Sequence, residues 1–216
     1  MVGAYGQTYF ETYPKEVAAF NQFRKHYESS NDSVFRKYKI DPVLALSLVA
    51  PEIGHYSVWQ DKMEVAAVSL FYVEMGTEYS DFSIGYFQMK AAFAEKVEES
   101  IKAFSLSEFY SLLKYKGINP GAQREERVAR MQSVPFQSAY LAAFISICKK
   151  MHPAWFDDYE LITQLAAAYN FGFWHTEEKI QQWKSAKHFP SSGKSAFSYA
   201  GVAKEYYHFI STNIVR

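Results

Sequence analysis

Glu52 is the side chain whose type and surroundings most directly indicate chemistry. It follows the apolar run ALSLVAP and stands between Pro51 and Ile53, so we expect it at the end of a buried helix. A carboxyl group among apolar neighbours loses solvation of its charged form, which raises its pKa. A pKa near neutrality suits a residue that donates a proton and then takes one back. Glu52 is therefore a candidate general acid, and a solvated glutamate at a helix end is the alternative.

Helices must position this residue, because the dominant hydrophobic period of the chain is helical. Apolar residues recur at helical spacing in PKEVAAFNQFRKHYES, and Asp41 and Pro42 form a start signal for the helix that ends at Glu52. A capping box of Ser105 and Glu108 predicts another helix start. In total we expect about nine helices in one mainly α domain that spans residues 1–216.

Two stretches, 53–61 and 76–88, interrupt the helical period. The second contains the segment SIGYFQM, and a small irregular β element is expected near 76–88. Loops held by a rigid helical scaffold commonly carry function. We therefore expect the irregular stretches to border the site of Glu52.

Composition narrows the classes of function. The 216 residues are 49% hydrophobic, and 23 basic side chains balance 23 acidic ones, so a nucleic-acid partner is not expected. No apolar run is long enough to predict an integral membrane segment. Cys148 is the only cysteine, which excludes an internal disulfide and predicts a buried thiol. The 18 Phe and 17 Tyr exceed what an average core needs, and flat rings also bind sugar faces.

Three separated motifs resemble those of the catalytic domain of soluble lytic transglycosylases, which are related to goose-type lysozymes. DPVLALSLVAPEIGHYS resembles the family's helix that carries its catalytic Glu, and SIGYFQM is similar to its Gly-Leu-Met-Gln turn at Gly85 and Gln88. LAAAYNFGF contains the family's Ala-Tyr-Asn-x-Gly signature. The resemblance covers residues 41 to 209 and implies a lysozyme-like fold, with residues 1–40 as a helical extension packed on it.

The resemblance also implies roles for residues at the matching positions. Glu52 would be catalytic. Gly85 would let the backbone approach a sugar, and the Gln88 amide would bind its hydroxyl and acetamido groups. Tyr169 would hydrogen-bond the Glu52 carboxyl, and Asn170 would contact backbone or sugar. The remaining substrate-binding candidates are Tyr86 and Phe87, with a core position for Phe87 as the alternative.

The implied chemistry is cleavage of β-1,4 bonds between N-acetylmuramic acid and N-acetylglucosamine, with peptidoglycan glycan strands as the partner. Glu52 would protonate the glycosidic oxygen and then act as base, toward the sugar's own 6-hydroxyl in a lytic transglycosylase or toward water in a muramidase. No metal or organic cofactor is implied. The expected protein is a monomer of the periplasm, the cell envelope or the secreted fraction.

The chain departs from the family pattern in two ways. Ile53 follows the acid where the family has Ser, and Ser57 is a candidate substitute. The segment DKMEVAAVSLFYVEMG is a helix-like insertion, in which Glu64 is the first candidate for a second carboxylate. A second carboxylate in the cleft would make an inverting hydrolase feasible. His55 beside the acid is a candidate sugar ligand, and a loop histidine is its alternative.

Three hypotheses of function follow. The first is a peptidoglycan-cleaving glycosidase. The second is a non-catalytic glycan-binding or envelope-assembly domain with a degenerate lysozyme-like cleft, which the residue Ile53 and the altered turn would explain. The third is a helical interaction domain whose motif matches are accidental, which would separate Glu52 from Gln88 and Tyr169.

Overall fold

The structure is a computed structural model, and it describes residues 7–58, 71–77, 82–190 and 197–213. These residues form a mainly helical protein, which confirms the predicted fold class. The helices are α1 (Tyr9–Thr12), α2 (Pro14–Lys37), α3 (Pro42–Val58), α4 (Ala91–Ala103), α5 (Pro120–Met131), α6 (Val134–Met151), α7 (Leu161–Phe171), α8 (Glu177–Trp183) and α9 (Tyr199–Thr212), with helical residues at 71–75 and 3₁₀ helices at Ser107–Leu113 and Pro153–Asp157.

Helix α2 is longer than its apolar pattern predicts. Its buried face continues past Tyr27 through Asn31 to Phe35. Asn31 hides this continuation in the sequence because it is polar, but its side-chain oxygen accepts a hydrogen bond of 3.0 Å from the Ser138 hydroxyl. A buried amide with a partner can occupy a core position.

Helix α3 carries Glu52 through the centre of the molecule. The Asp41 carboxylate accepts a 2.9 Å hydrogen bond from the Val43 amide at the start of the helix, as the start signal predicts. The helix does not end at Glu52, however, because it continues through Pro51 to Val58. A proline within a helix removes one backbone hydrogen bond and crowds the preceding turn. The Tyr199 hydroxyl donates to the Leu48 carbonyl in that turn, at 2.9 Å.

A two-stranded antiparallel hairpin occupies the second irregular stretch. Strand β1 (Ser83–Ile84) pairs with β2 (Met89–Lys90), and Ile84 lies opposite Met89. The turn between them uses positive φ angles at Gly85 (69°) and Gln88 (49°). This hairpin is the small β element expected near 76–88, and it leads directly into α4. A second hairpin pairs β3 (Lys187–Phe189) with β4 (Phe197–Ser198).

The predicted capping box at Ser105 and Glu108 is wrong. Ser105 has a φ of 53° and ends α4, because the Leu106 amide donates to the Ile101 carbonyl at 3.0 Å. This pattern is a Schellman motif, in which a left-handed residue closes a helix. The next element begins at Ser107 as a 3₁₀ helix without a side-chain cap.

The core surrounds α3, which packs against α2, α6, α7 and α9. Leu48, Val49 and Ala50 have no exposed surface, which confirms that the apolar helix is buried. Cys148 is a buried free thiol, as predicted, and burial raises its pKa. Within the described ranges, no helix combines the length and apolar character needed to cross a membrane.

Candidate active site

A cleft with a volume of about 190 Å³ brings together residues from α3, the β1–β2 hairpin and α7. Four of the predicted site residues line it, namely Glu52, Gln88, Tyr169 and Asn170. They are far apart in the sequence, so the tertiary fold places them side by side. The accidental-match hypothesis expected Glu52 to lie away from Gln88 and Tyr169, and it is wrong on this point.

The Glu52 carboxyl lies in a part-buried position at the wall of the cleft. Burial raises its pKa to about 8, and the charge of Lys90 acts in the opposite direction. Among the described residues, no side chain donates a hydrogen bond to this carboxyl or forms an ion pair with it. A carboxyl group in such surroundings holds its proton at neutral pH.

The Tyr169 hydroxyl does not donate to Glu52, which corrects the predicted contact. Its hydrogen bond goes to the carbonyl oxygen of Phe87, at 2.6 Å. Burial raises the pKa of Tyr169 strongly, and the nearby charge of Glu52 raises it further. The phenol is therefore close enough to Glu52 to interact with its charge. It also ties α7 to the turn of the hairpin.

Gln88 lines the cleft, but part of its amide is used within the turn. Its side-chain nitrogen donates to the Gly85 carbonyl at 2.8 Å. The other N–H and the amide oxygen bond to no other described residue, so they remain for a ligand. Asn170 at the end of α7 is exposed, and its side-chain oxygen accepts a 2.9 Å hydrogen bond from the Trp183 indole. Within the described part of the chain its amide nitrogen donates to no residue, so both hydrogens remain for a ligand.

Gly85 is needed for packing and does not line the cleft. A Cβ atom at this position would lie 1.7 Å from the side-chain nitrogen of Gln137 and 2.5 Å from the Met131 carbonyl oxygen. Gln137 is buried and binds both sides of the turn, since it donates to the Ile84 carbonyl and accepts from the Phe87 amide. The predicted role of Gly85 in sugar approach is therefore wrong.

Tyr86 and Phe87 do not line this cleft either. Phe87 is fully buried, so the alternative of a core residue is correct and the predicted sugar wall is wrong. Tyr86 is half-buried and packs against the rings of Phe23, Tyr27 and Tyr56. A single turn thus sends one side chain, that of Gln88, into the cleft and two rings toward the hydrophobic core and its edge.

Several residues of the cleft were not predicted from the sequence, and Ser83, Lys90 and Trp174 are among them. Ser83 and Lys90 come from the two strands of the hairpin, and Trp174 follows the Ala-Tyr-Asn signature. Lys90 is exposed and lies near enough to Glu52 to lower its pKa. No local pattern distinguishes these residues, because their place in the cleft depends on how the hairpin and α7 approach α3.

The structure does not place the other residues considered in the sequence analysis in the cleft. Ile53 is fully buried, so it faces the core. His55 is half-buried, and burial lowers its pKa while the charge of Glu16 acts in the opposite direction. Glu64 lies outside the described residues, and so does the side chain of Ser57. In the described part of the chain, no group of three His, Cys, Asp or Glu side chains could hold a metal ion.

Comparison of the chain with protein-family models, with curated proteins and with solved structures finds no match. The resemblance to lytic transglycosylases therefore depends on the three motifs alone. The cleft contains a carboxyl whose pKa is raised by burial, amide groups and an exposed indole.

Proposed function

We propose that the protein is a glycosidase that cleaves β-1,4 bonds between N-acetylmuramic acid and N-acetylglucosamine in peptidoglycan. One observation carries the proposal: a carboxyl whose pKa is raised to about 8 lines a cleft together with Gln88, Tyr169 and Asn170. These are the residues that match the three family motifs. A carboxyl that keeps its proton at neutral pH can serve as a general acid.

In the proposed reaction, Glu52 gives its proton to the glycosidic oxygen as the bond to the anomeric carbon breaks. The substrate's own acetamido group or an oxocarbenium-like species then holds the positive charge, as in glycosidases assisted by their substrate. The Glu52 carboxylate next removes a proton from the sugar's 6-hydroxyl or from water. Glu52 is the sole carboxylate among the described residues that line the cleft, which favours this route over one with two carboxylates.

The bound substrate would be a glycan strand, and the proposed compartment is the periplasm, the cell envelope or the secreted fraction. The N–H groups of Asn170 and Gln88 that bond to no described residue can bind hydroxyl and acetamido oxygens. Tyr169 would act indirectly, because its hydrogen bond to Phe87 holds the turn that presents Gln88.

The Glu52→Gln variant tests the proposal. It keeps the shape of the side chain and removes the transferable proton, so we expect the release of muropeptides from purified sacculi to fall by about 10²- to 10⁴-fold. Mass spectrometry of the products separates anhydro ends from reducing ends. Unchanged release by a folded Glu52→Gln protein would refute the proposal.

Two further variants complete this experiment. Glu108→Gln changes an exposed glutamate on the 3₁₀ helix Ser107–Leu113, and we expect full activity. Glu64→Gln tests the candidate second carboxylate. A loss as deep as that of Glu52→Gln would show that two carboxylates are needed and would replace the one-carboxylate route.

The second candidate function is glycan binding without cleavage. It is favoured by the internal use of polar groups, since the Tyr169 hydroxyl donates to Phe87 and the Gln88 amide donates to Gly85. Binding of glycan strands by the wild-type protein, with no muropeptides after prolonged incubation, would establish this function instead.

A further inference from the structure

The most exposed aromatic surface in the cleft belongs to Trp174. This side chain is 41% exposed, and it lines the cleft that contains Glu52. The neighbouring Phe173 is only 2% exposed and packs against Phe93 and Phe144 in the core. The core thus anchors one residue of the turn and leaves the next at the wall of the cleft.

The backbone of Gly172 supports the indole from one side. A Cβ atom added to Gly172 would lie 2.8 Å from Cζ2 and 2.9 Å from Cε2 of the Trp174 ring. The turn closes with a 3.2 Å hydrogen bond from the His175 amide to the Gly172 carbonyl. Gly172 has a φ of 117°, which L side chains rarely adopt. The turn therefore requires glycine for its backbone angle and also for its contact with the ring.

The indole is not stacked on its aromatic neighbours. Its ring meets Phe173 edge-on at 75° and is tilted by 40° against His175, with centroids 5.4 Å and 5.7 Å away. An aromatic ring at the wall of a cleft, beside a small number of polar groups, is the arrangement found in ligand pockets.

We infer that Trp174 is a binding residue that stacks on the face of a β-linked N-acetylhexosamine ring in the Glu52 cleft. A β-glucopyranoside has equatorial substituents, so its faces consist of C–H groups with partial positive charge. Such a face complements the negative face of an aromatic ring. An axial substituent or an α-linkage would lift part of the sugar from the indole. Trp174 therefore selects the configuration of the sugar, while Glu52 acts on the bond.

This inference takes the identity of the sugar from the proposed function, but it is tested by binding alone. The parent protein for the test is Glu52→Gln, which cannot cleave the probe. The probe is the β-1,4-linked hexamer of N-acetylglucosamine, and calorimetry gives the dissociation constant. We expect Trp174→Ala and Trp174→Leu to weaken binding roughly tenfold or more and Trp174→Phe to retain most of it.

Matched controls separate stacking from general effects. Tyr159→Ala removes an aromatic ring that is 89% exposed and does not line the cleft, and we expect unchanged binding. An α-linked glucose hexamer should not bind the parent. Thermal denaturation of each variant shows that it is folded, and Trp174→Leu tests whether an apolar side chain without a flat face can substitute.

The outcomes distinguish this inference from the proposed function. Binding that depends on Trp174, together with no muropeptide release by the wild-type protein, would support the stacking role and refute the glycosidase. Cleavage by the wild-type protein, with equal affinity of the parent and Trp174→Ala for the hexamer, would overturn the stacking role only. A parent protein that does not bind the hexamer also overturns it.

Discussion

Glu52 and Glu98 are carboxylates that the fold shields from water, Glu52 in part and Glu98 almost fully, and their surroundings differ in almost every respect. Glu98 lies on α4, is 5% exposed and is surrounded by donors. Arg127 on α5 binds both of its oxygens, at 2.9 Å and 2.7 Å, and the Tyr140 hydroxyl donates to one of them at 2.6 Å. Tyr115 donates to the same oxygen. Glu98 thus has a full set of partners that joins three helices and the loop between two of them.

Among the described residues, Glu52 has no comparable set of hydrogen-bond donors and no ion pair. Burial raises its pKa to about 8, and only the charge of Lys90 opposes that effect. Because a buried charge is costly unless it is paired, a carboxyl without partners keeps its proton instead. The comparison indicates that Glu98 stabilises the fold, whereas Glu52 is able to exchange a proton.

The largest effect is expected from removing the partner of Glu98. Arg127→Met leaves the carboxylate buried without its ion pair, so we expect the free energy of unfolding at pH 7 to fall by about 3–5 kcal/mol. Urea denaturation of the wild-type protein and the variant at pH 7 measures this difference in the free energy of unfolding. The double variant Arg127→Met with Glu98→Gln should recover part of the loss, because no unpaired charge remains.

A surface pair provides the control for this prediction. The Lys96–Glu99 ion pair on α4 is solvent-exposed, and Lys96→Ala should cost less than about 0.5 kcal/mol. A loss from Arg127→Met that is no greater than that from Lys96→Ala would show that the Glu98 network does not hold the fold together.

Glu52→Gln should show the opposite behaviour, a gain in stability that grows with pH. The pKa of Glu52 is about 8 in the folded protein against 4.5 in the unfolded chain, so the folded state binds the extra proton between these values. Wild-type stability must then fall as pH rises through this window, by at most about 1.4 kcal/mol per pH unit. The glutamine variant lacks this loss. Denaturation of both proteins from pH 4 to 9 measures the difference, and a constant difference would mean that the Glu52 pKa is not raised.

A smaller effect is expected from Tyr140→Phe, which removes one neutral donor from Glu98 but keeps Arg127. Hydrogen bonds to charged groups contribute about 1.5–3 kcal/mol, so we expect a loss in that range. The same substitution at Tyr169 removes a bond to the neutral Phe87 carbonyl, and about 1 kcal/mol is expected. Equal losses from the two variants would contradict the difference between the two carboxylate environments.

The smallest effect concerns Lys90, whose charge lowers the pKa of Glu52. Lys90→Met should move the alkaline limb of the pH profile of kcat/KM upward by less than about one pH unit, since the charge is exposed and screened by solvent. The rate of muropeptide release, measured as a function of pH, gives the position of the alkaline limb. A shift to lower pH would contradict the assigned sign.

The sequence predicted the features that depend on local patterns. The start of α3 at Asp41 and Pro42, the burial of its apolar residues, the thiol of Cys148 and a short β element all follow from side chains near one another in the chain. The end of α3 was not predicted, because core packing offsets the cost of Pro51. The extension of α2 was missed because the partner of Asn31 is Ser138, which is distant in sequence.

The sequence by itself determined a mainly helical protein with an acid on an apolar helix and two amide-bearing motifs that could accompany it. Only the tertiary structure decided which side chains line the cleft, because that depends on how the hairpin, α7 and α3 meet. Gly85 lies against Gln137 and the Phe87 ring is buried in the core, whereas Gln88, Lys90 and Trp174 line the cleft. Packing between distant segments sets the solvation of each group, and solvation decides whether a carboxyl such as Glu52 holds its proton.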